Sequence, residues 1–313
     1  MIIYIVSDGK KGHLSQTRGL AQALIEQACE RAPEREHACY EVDITGLSWL
    51  KKLFYKGKEL SYPRPDLILC AGHSTHLAAL SLARHLRSLC MVCMRPSLPC
   101  SMFDLCITPR HDLPDGFTAN GRIFPTNGAI NAIRPTPDEP KTQTLILIGG
   151  PSKSYNWDAE LVLNQLSSIA RLTTTPIVLT TSRRTPADFV GDVTAACPNI
   201  RVIPVEETGP NWVQENLSRA KEVWVTQDSV SMVYESLSSG APVGIIEMPA
   251  KEGPHKPDAS RIARGLNMLI SDGSVCRFTE WAKTHTIPQT GKVLNEARRT
   301  ATYILENFPK LLP

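Results

Sequence analysis

Apolar positions in this chain alternate between two rhythms. Short unbroken apolar runs close on polar or glycine-bearing loops, and longer stretches follow in which apolar residues return at helical spacing. Ile2 to Val6 leads into the loop Asp8 to His13 and then QTRGLAQALIEQA, where Leu20, Ala23, Leu24 and Ala28 recur at that spacing. PDLILCAG (Pro65 to Gly72) repeats the plan. Behind it HSTHLAALSLARHLRSL carries Leu77, Leu80, Leu82 and Leu86 after a polar start, and CMVCM follows as a third strand. Runs apolar at every position suit strands covered on both faces, so the pattern predicts parallel strands joined by helical crossovers in a doubly wound α/β sheet. Sheets of this kind bind ligands at the carboxyl ends of their strands.

RPTPDEPK (Arg134 to Lys141) contains three prolines and reads as a linker. Beyond it the plan restarts with TLILIGGPSKSYNWD, the helical run AELVLNQLSSIARL, the strands PIVLTTS and IRVIPV, and EVWVTQDS running into MVYESLSSG. The strand PVGIIEM and a closing helix near Lys292 to Phe308 complete it. The expected organisation is a Rossmann-like domain over residues 1–137, a second over 138–291, and a terminal helix over 292–313 packing back toward the first. Two such domains facing across a cleft would join their ligand-binding edges, and interdomain clefts are favoured ligand sites.

Composition narrows the classes. A chain of 313 residues can bury two cores, and 42% hydrophobic with 21% charged residues is a globular composition. The net charge of +3, from 34 basic and 31 acidic residues spread along the chain, gives no overall drive toward nucleic acid. The first apolar run ends at Asp8 without the marks of a signal peptide, and no apolar stretch approaches the ~18 residues a bilayer span needs, so the expected location is cytoplasmic. Cys70, Cys90, Cys93 and Cys106 lie in strand-like runs and read as reduced core thiols. A zinc site on Cys90, Cys93, Cys100 and Cys106 is the alternative, but no histidine pair follows at finger spacing. Nor do His73, His76, His111 and Asp112 have close ligand spacing. No metal or cofactor is expected.

Candidate chemistry gathers at strand ends. In VTQDSVSMVYESLSSGAP (225–242) the chain turns through Gln227, Asp228 and Ser229 into a helix that begins between Ser229 and Met232. Its amides and the hydroxyls of Ser229 and Ser231 form a setting for an anion such as a diphosphate. Glu235, one turn further in, can accept hydrogen bonds from ribose hydroxyls. The alternative is that Asp228 or Ser229 simply caps the helix. Gly149 and Gly150, with Ser152 just beyond, allow close backbone approach to a ligand. Arg183 and Arg184 offer planar forks suited to phosphate, or are a solvated pair.

In the first half, Asp8, Lys10, Lys11, His13 and Gln16 lie in and after the first loop, and His73 and His76 open the second helix. Histidine is the side chain that titrates nearest neutral pH, which suits His13 to act as general base on an acceptor hydroxyl. The segment Leu47 to Leu60 interleaves Trp49, Leu50, Leu53, Phe54 and Tyr55 with Lys51, Lys52, Lys56 and Lys58. That composition fits an interfacial helix on anionic lipid or an amphipathic helix packed on the sheet.

Taken in order, SDGKKGHLSQTRGL, AGHSTHLAAL, FDLCITPRHD, PTNGAIN, LILIGGPSKSYNWD, TSRRTP and VTQDSVSMVYESLSSGAPV resemble the mitochondrial-fission ELM-type family. Its bacterial members are regarded as candidate glycosyltransferases. The family is similar to GT-B glycosyltransferases, among them the N-acetylglucosaminyltransferase of peptidoglycan synthesis. The resemblance implies a GT-B fold, a metal-independent and inverting transfer from a nucleotide sugar to a cell-envelope glycan or glycolipid, His13 as base and Glu235 on the ribose. The loop DGKKGH is less glycine-rich than that enzyme's. The family's plant namesake serves organelle fission by recruitment, so a non-catalytic adaptor is an alternative, as is a sugar-nucleotide epimerase of the same fold.

Overall fold

The computed structural model describes residues 1–114, 117, 120–252, 261–289 and 293–312, with the side chains of 261–263 excepted. It divides into two compact units, Met1–Ala132 with Asn295–Pro313, and Ile133–Leu294. Residues 291 and 292, the expected junction before the closing helix, and Pro313 lie outside the described residues.

The first unit runs β1 (Ile2–Ser7), α1 (Lys11–Arg31), β2 (Ala38–Asp43), α2 (Trp49–Leu53), β3 (Leu67–Ala71), α3 (His76–Leu86), β4 (Leu89–Cys93), β5 (Leu105–Pro109) and β6 (Ile123–Thr126). Its sheet is parallel with order β2-β1-β3-β4-β5-β6. Successive strand residues point to opposite faces, which here makes two buried layers. Ile3, Ile5, Leu67, Leu69, Met91 and Cys93 pack on one face, and Tyr4, Val6, Ile68, Cys70, Cys90 and Val92 on the other. Cys90 and Cys93 therefore cannot share a zinc ion.

The second unit runs β7 (Gln143–Leu147), α4 (Ala159–Leu172), β8 (Ile177–Thr180), α5 (Phe189–Ala196), β9 (Ile200–Ile203), α6 (Trp212–Ser218), β10 (Ala220–Thr226), α7 (Val230–Ser238), β11 (Val243–Ile246), α8 (Arg261–Ser271), β12 (Val275–Arg277) and α9 (Phe278–Thr284). The sheet is again parallel, with order β12-β11-β10-β7-β8-β9. Asp158 caps α4 by accepting from the Leu161 amide at 3.0 Å. Ile146, Leu166 and Trp224 are fully buried in this core. Burial of a side chain such as Ile146 stabilises by about 1.5–3 kcal/mol. The β7 and β10 ends carry the glycine pair and the QDS turn side by side, because the two strands are neighbours.

The last helix, α10 (Glu296–Asn307), belongs to the first unit. Asn295 caps it by accepting from the Arg298 amide, and Ala301, Ile304 and Leu305 enter the same core as α1. Among the described residues no helix is long and apolar enough to cross a membrane.

The segment 47–60 is not the continuous amphipathic helix that its composition suggests. Only Trp49–Leu53 is helical, and Gly57 at φ +62° turns the chain. Tyr55 alone of its large apolar residues points fully inward, at 8% exposure, while Trp49 and Phe54 are 65% and 69% exposed. Leu47 and Leu60 pack against the same core as Tyr55, so the segment is packed on the unit in part while Trp49, Leu50 and Phe54 face out.

Candidate functional site

Each unit presents a polar group at its strand ends. In the first unit Asp8 follows β1, and its carboxylate is nearly buried, with 6% of the side chain exposed. It accepts from His13 Nδ1 at 3.0 Å and from the Ser74 hydroxyl at 2.5 Å. Burial alone would raise the Asp8 pKa, but the hydrogen bonds from Ser74 and His13 outweigh it and hold the group at about 2. An ionised carboxylate can only accept, so His13 donates from Nδ1, and in the neutral imidazole the lone pair is then on Nε2. That is the tautomer a general base requires.

The imidazole rests against Gly72, where β3 ends. A Cβ at that position would stand 2.2 Å from His13 Cε1, and the backbone is left-handed there, with φ +85°. Glycine is needed on both counts. Gln16, one turn along α1 from His13, is half-buried, and Lys11 and His73 are exposed.

His76 departs from its expected place on the acceptor side. It is 2% exposed, edge-on to Phe103 and within 3.3 Å of the Ser97 hydroxyl. Burial first, then the neighbouring His73 and His13, lower its pKa to about 4. It is a neutral core group. The sequence reading missed Ser74, although its position in AGHSTH beside a strand end was the available signal.

In the second unit the strand-end groups divide into two sets. Gly149, Gly150, Ser152, Arg184, Gln227 and Asp228 bond to one another or to the nearby backbone, although the buried Asp228 Oδ1 has no hydrogen-bond partner among the described residues. The Gly149 amide donates to Thr226 Oγ1 at 2.7 Å and the Gly150 amide to Asp228 Oδ2 at 3.1 Å. Arg184 Nη2 pairs with Asp228 Oδ2 at 2.7 Å, and the Asp228 side chain is fully buried. Ser152 Oγ accepts from the Ser154 and Tyr155 amides, while Gln227 Nε2 donates to the Met248 carbonyl. The glycine pair, Ser152, Gln227, Asp228 and Arg184, expected to hold phosphate, thus form a bonded cluster at the β7 and β10 ends. The Gly149 and Gly150 amides, Gln227 Nε2 and Arg184 already have partners within the protein, whereas the Ser152 hydroxyl only accepts in these bonds.

The other set is open. Ser229 is the N-cap of α7, yet neither it nor Asp228 caps the helix through a side chain. The amides of Val230, Ser231 and Met232 have no intrahelical acceptor by position. Ser229 and Met232 are half-buried, and Ser231 is exposed. Arg183 is exposed and forms no ion pair or hydrogen bond among the described residues. Glu235 lies one turn into the helix. Burial raises its carboxyl to about pKa 7, and it has no hydrogen-bond partner among the described residues. A half-buried acceptor without a partner beside unpaired amides suits a ligand carrying both an anion and hydroxyls. Among the described residues no group of three or more His, Cys, Asp or Glu side chains is placed to hold a metal ion.

Residues 11–308 match the family model described as Mitochondrial fission ELM1. An uncharacterized protein, RP120 of Rickettsia prowazekii (strain Madrid E), is 25% identical over 287 residues, covering 77% of this chain and 79% of that protein. Among solved structures, Acinetobacter baumannii MurG is similar with a TM-score of 0.50 and 12% identity, covering 99% of both chains. The UDP-GlcNAc 2-epimerase of Methanocaldococcus jannaschii is similar with a TM-score of 0.53 and 12% identity, covering 98% of this chain and all of that one. At such identity the likeness is one of fold, and the fold is the GT-B type.

Proposed function

Since this chain belongs to the mitochondrial fission ELM1 family and has the GT-B fold, we propose that it is a metal-independent glycosyltransferase acting on a nucleoside-diphosphate sugar. The observation that carries this reading is Glu235, a half-buried carboxyl with a raised pKa and without a partner, one turn inside a helix whose first amides are also open. A ribose hydroxyl donating to Glu235 and a diphosphate on the Val230, Ser231 and Met232 amides would satisfy both. The hydroxyls of Ser229 and Ser231 and the guanidinium of Arg183 add donors to the same anion. Gly149, Gly150, Arg184 and Asp228 shape the neighbouring turn without touching the phosphates.

The first unit supplies the base. The acceptor hydroxyl donates to His13 Nε2, and as its proton passes to the imidazole its oxygen attacks the anomeric carbon. The bond from that carbon to the diphosphate oxygen breaks, and the diphosphate departs with the bonding pair, stabilised by the helix amides and Arg183. Asp8 stabilises the imidazolium that forms. Attack by the acceptor opposite the leaving group inverts the anomeric centre. The acceptor class we assign is a glycan or glycolipid of the cell envelope, met at the cytoplasmic face of a membrane.

Calorimetric titration with a panel of nucleotide sugars, followed by assay of released nucleotide, tests the reading. Binding together with nucleotide released only when acceptor is present is expected. Absence of binding to every donor would overturn it. An isomerised donor formed without acceptor would point to an epimerase, and binding without turnover on any acceptor to an adaptor.

A further inference from the structure

The outer face of the first unit carries an apolar ridge that its own core does not use. Trp49, Leu50, Leu53 and Phe54 are 40–69% exposed. A contiguous apolar surface of this kind marks an interaction site. Leu53 and Phe54 also line a groove of about 1160 Å³, whose other apolar walls come from Leu77, Leu80 and Met102.

The same groove is bordered by Lys56, Arg84 and Arg87. None of these three, nor Lys51, Lys52 or Lys58 beside the ridge, forms a side-chain ion pair or hydrogen bond among the described residues. The acids nearby are already engaged. Glu59 accepts from the Tyr55 hydroxyl at 2.6 Å, and Asp104 from the Cys90 amide at 2.7 Å. The helix dipole gives Arg84 a reason to stand in the last turn of α3, but it gives none for the ridge.

Exposed aromatic and aliphatic groups interleaved with unpaired cations complement one kind of surface, in which phosphates lie over hydrocarbon. We infer that this face docks on an anionic lipid bilayer. The ridge enters the boundary between headgroups and acyl chains, the groove accepts an acyl chain, and lipid phosphate lies among Lys56, Arg84 and Arg87. A second copy of the chain fits worse, because two such cationic faces repel. The inference is independent of the donor site in the second unit, and its failure would leave that site untouched.

Flotation of the full chain with phosphatidylcholine vesicles, with and without phosphatidylglycerol, tests it. Binding is expected only with phosphatidylglycerol and should fall as salt rises. At about 1 kcal/mol per cation near an anionic surface, the triple variant K56Q/R84Q/R87Q should lose on the order of a hundredfold in partition coefficient. W49S/F54S should lose the binding that survives high salt. These side chains are exposed, so melting temperature and nucleotide binding should match the unaltered protein. Equal binding to phosphatidylcholine alone, or variants that partition like the parent, would overturn the inference. So would a dimer in sedimentation that these substitutions abolish, since that would give the face to a second copy.

Discussion

The ring of His13 lies directly over Gly72, so close that a methyl group on Gly72 would stand 2.2 Å from Cε1 and 2.4 Å from Nδ1. No real Cβ contact is that short, and φ +85° further disfavours any side chain there. Gly72→Ala should therefore push the imidazole away from Asp8. The expected result is loss of transfer activity with donor affinity in the second unit unchanged. If activity survives, His13 is not the base.

Asp8 has two measurable roles. His13→Ala should slow transfer by on the order of a hundredfold or more. Asp8→Asn should slow it by a smaller but clear factor, since the imidazole remains while its tautomer is no longer fixed by a carboxylate. Asp8 also affects stability. Its pKa in the folded protein, about 2, lies below the ordinary 3.8, so its contribution is full above pH 3.8 and is lost as pH falls toward 2. Acid unfolding of Asp8→Asn should lack that component, which a denaturant series across this pH window will show.

For Glu235 the sign is opposite. Its folded pKa of about 7 exceeds the ordinary 4.5, so the group costs nothing below pH 4.5 and destabilises the ligand-free protein as pH rises through 7. Glu235→Gln should be more stable than the parent at pH 8, by up to about 3 kcal/mol, and equal to it near pH 4. Nucleotide binding should change the other way. Hydroxyls donating to Glu235 favour its ionised form, so parent affinity should rise as pH passes 7. The Gln variant should bind about tenfold more weakly above that pH and show no such rise. Calorimetry at pH 6 and pH 8 distinguishes the two proteins.

The pair Arg184 and Asp228 should behave as structure rather than as ligand contact. Removing a cation from a buried carboxylate is costly, and Arg184 is 42% exposed, so Arg184→Ala should destabilise by about 2–3 kcal/mol, somewhat less than for a fully buried pair. Asp228→Asn retains an acceptor for the Gly150 amide. Adding it to Arg184→Ala should recover part of the loss. A double-mutant coupling near zero in urea unfolding would mean the pair does no structural work.

Gly149 explains why this part of the site could not be read along the chain. Both glycines of LILIGG sit at a strand end, as expected, and in sequence they look like an open phosphate turn. Only the pairing of β7 with β10 brings Asp228 within 2.3 Å of where a Gly149 Cβ would stand. The Gly149 amide donates to Thr226 Oγ1 and the Gly150 amide to that carboxylate. The strands expected from the pattern leave out β2, β5, β6 and β12, and for β2 and β6 the cause is related. β2 alternates at an edge of its sheet, half exposed, and β6 is an edge strand interrupted by Pro125. Neither shows the continuous apolar run that marks a strand covered on both faces.

The sequence by itself determined the parallel α/β architecture, because an apolar run that must be buried on two faces admits few other folds, and α4 reads from Ala159 to Leu172 in both. It also determined which residue types gather at strand ends. The tertiary structure alone decided which of those groups are free. His13 is oriented by Asp8 and Ser74 from separate segments, His76 is withdrawn into the core, Arg184 is neutralised, and Glu235 and the first amides of α7 stay unpaired. Hydrogen bonds and ion pairs are settled by through-space neighbours, and those neighbours are fixed only once the strands have found their order.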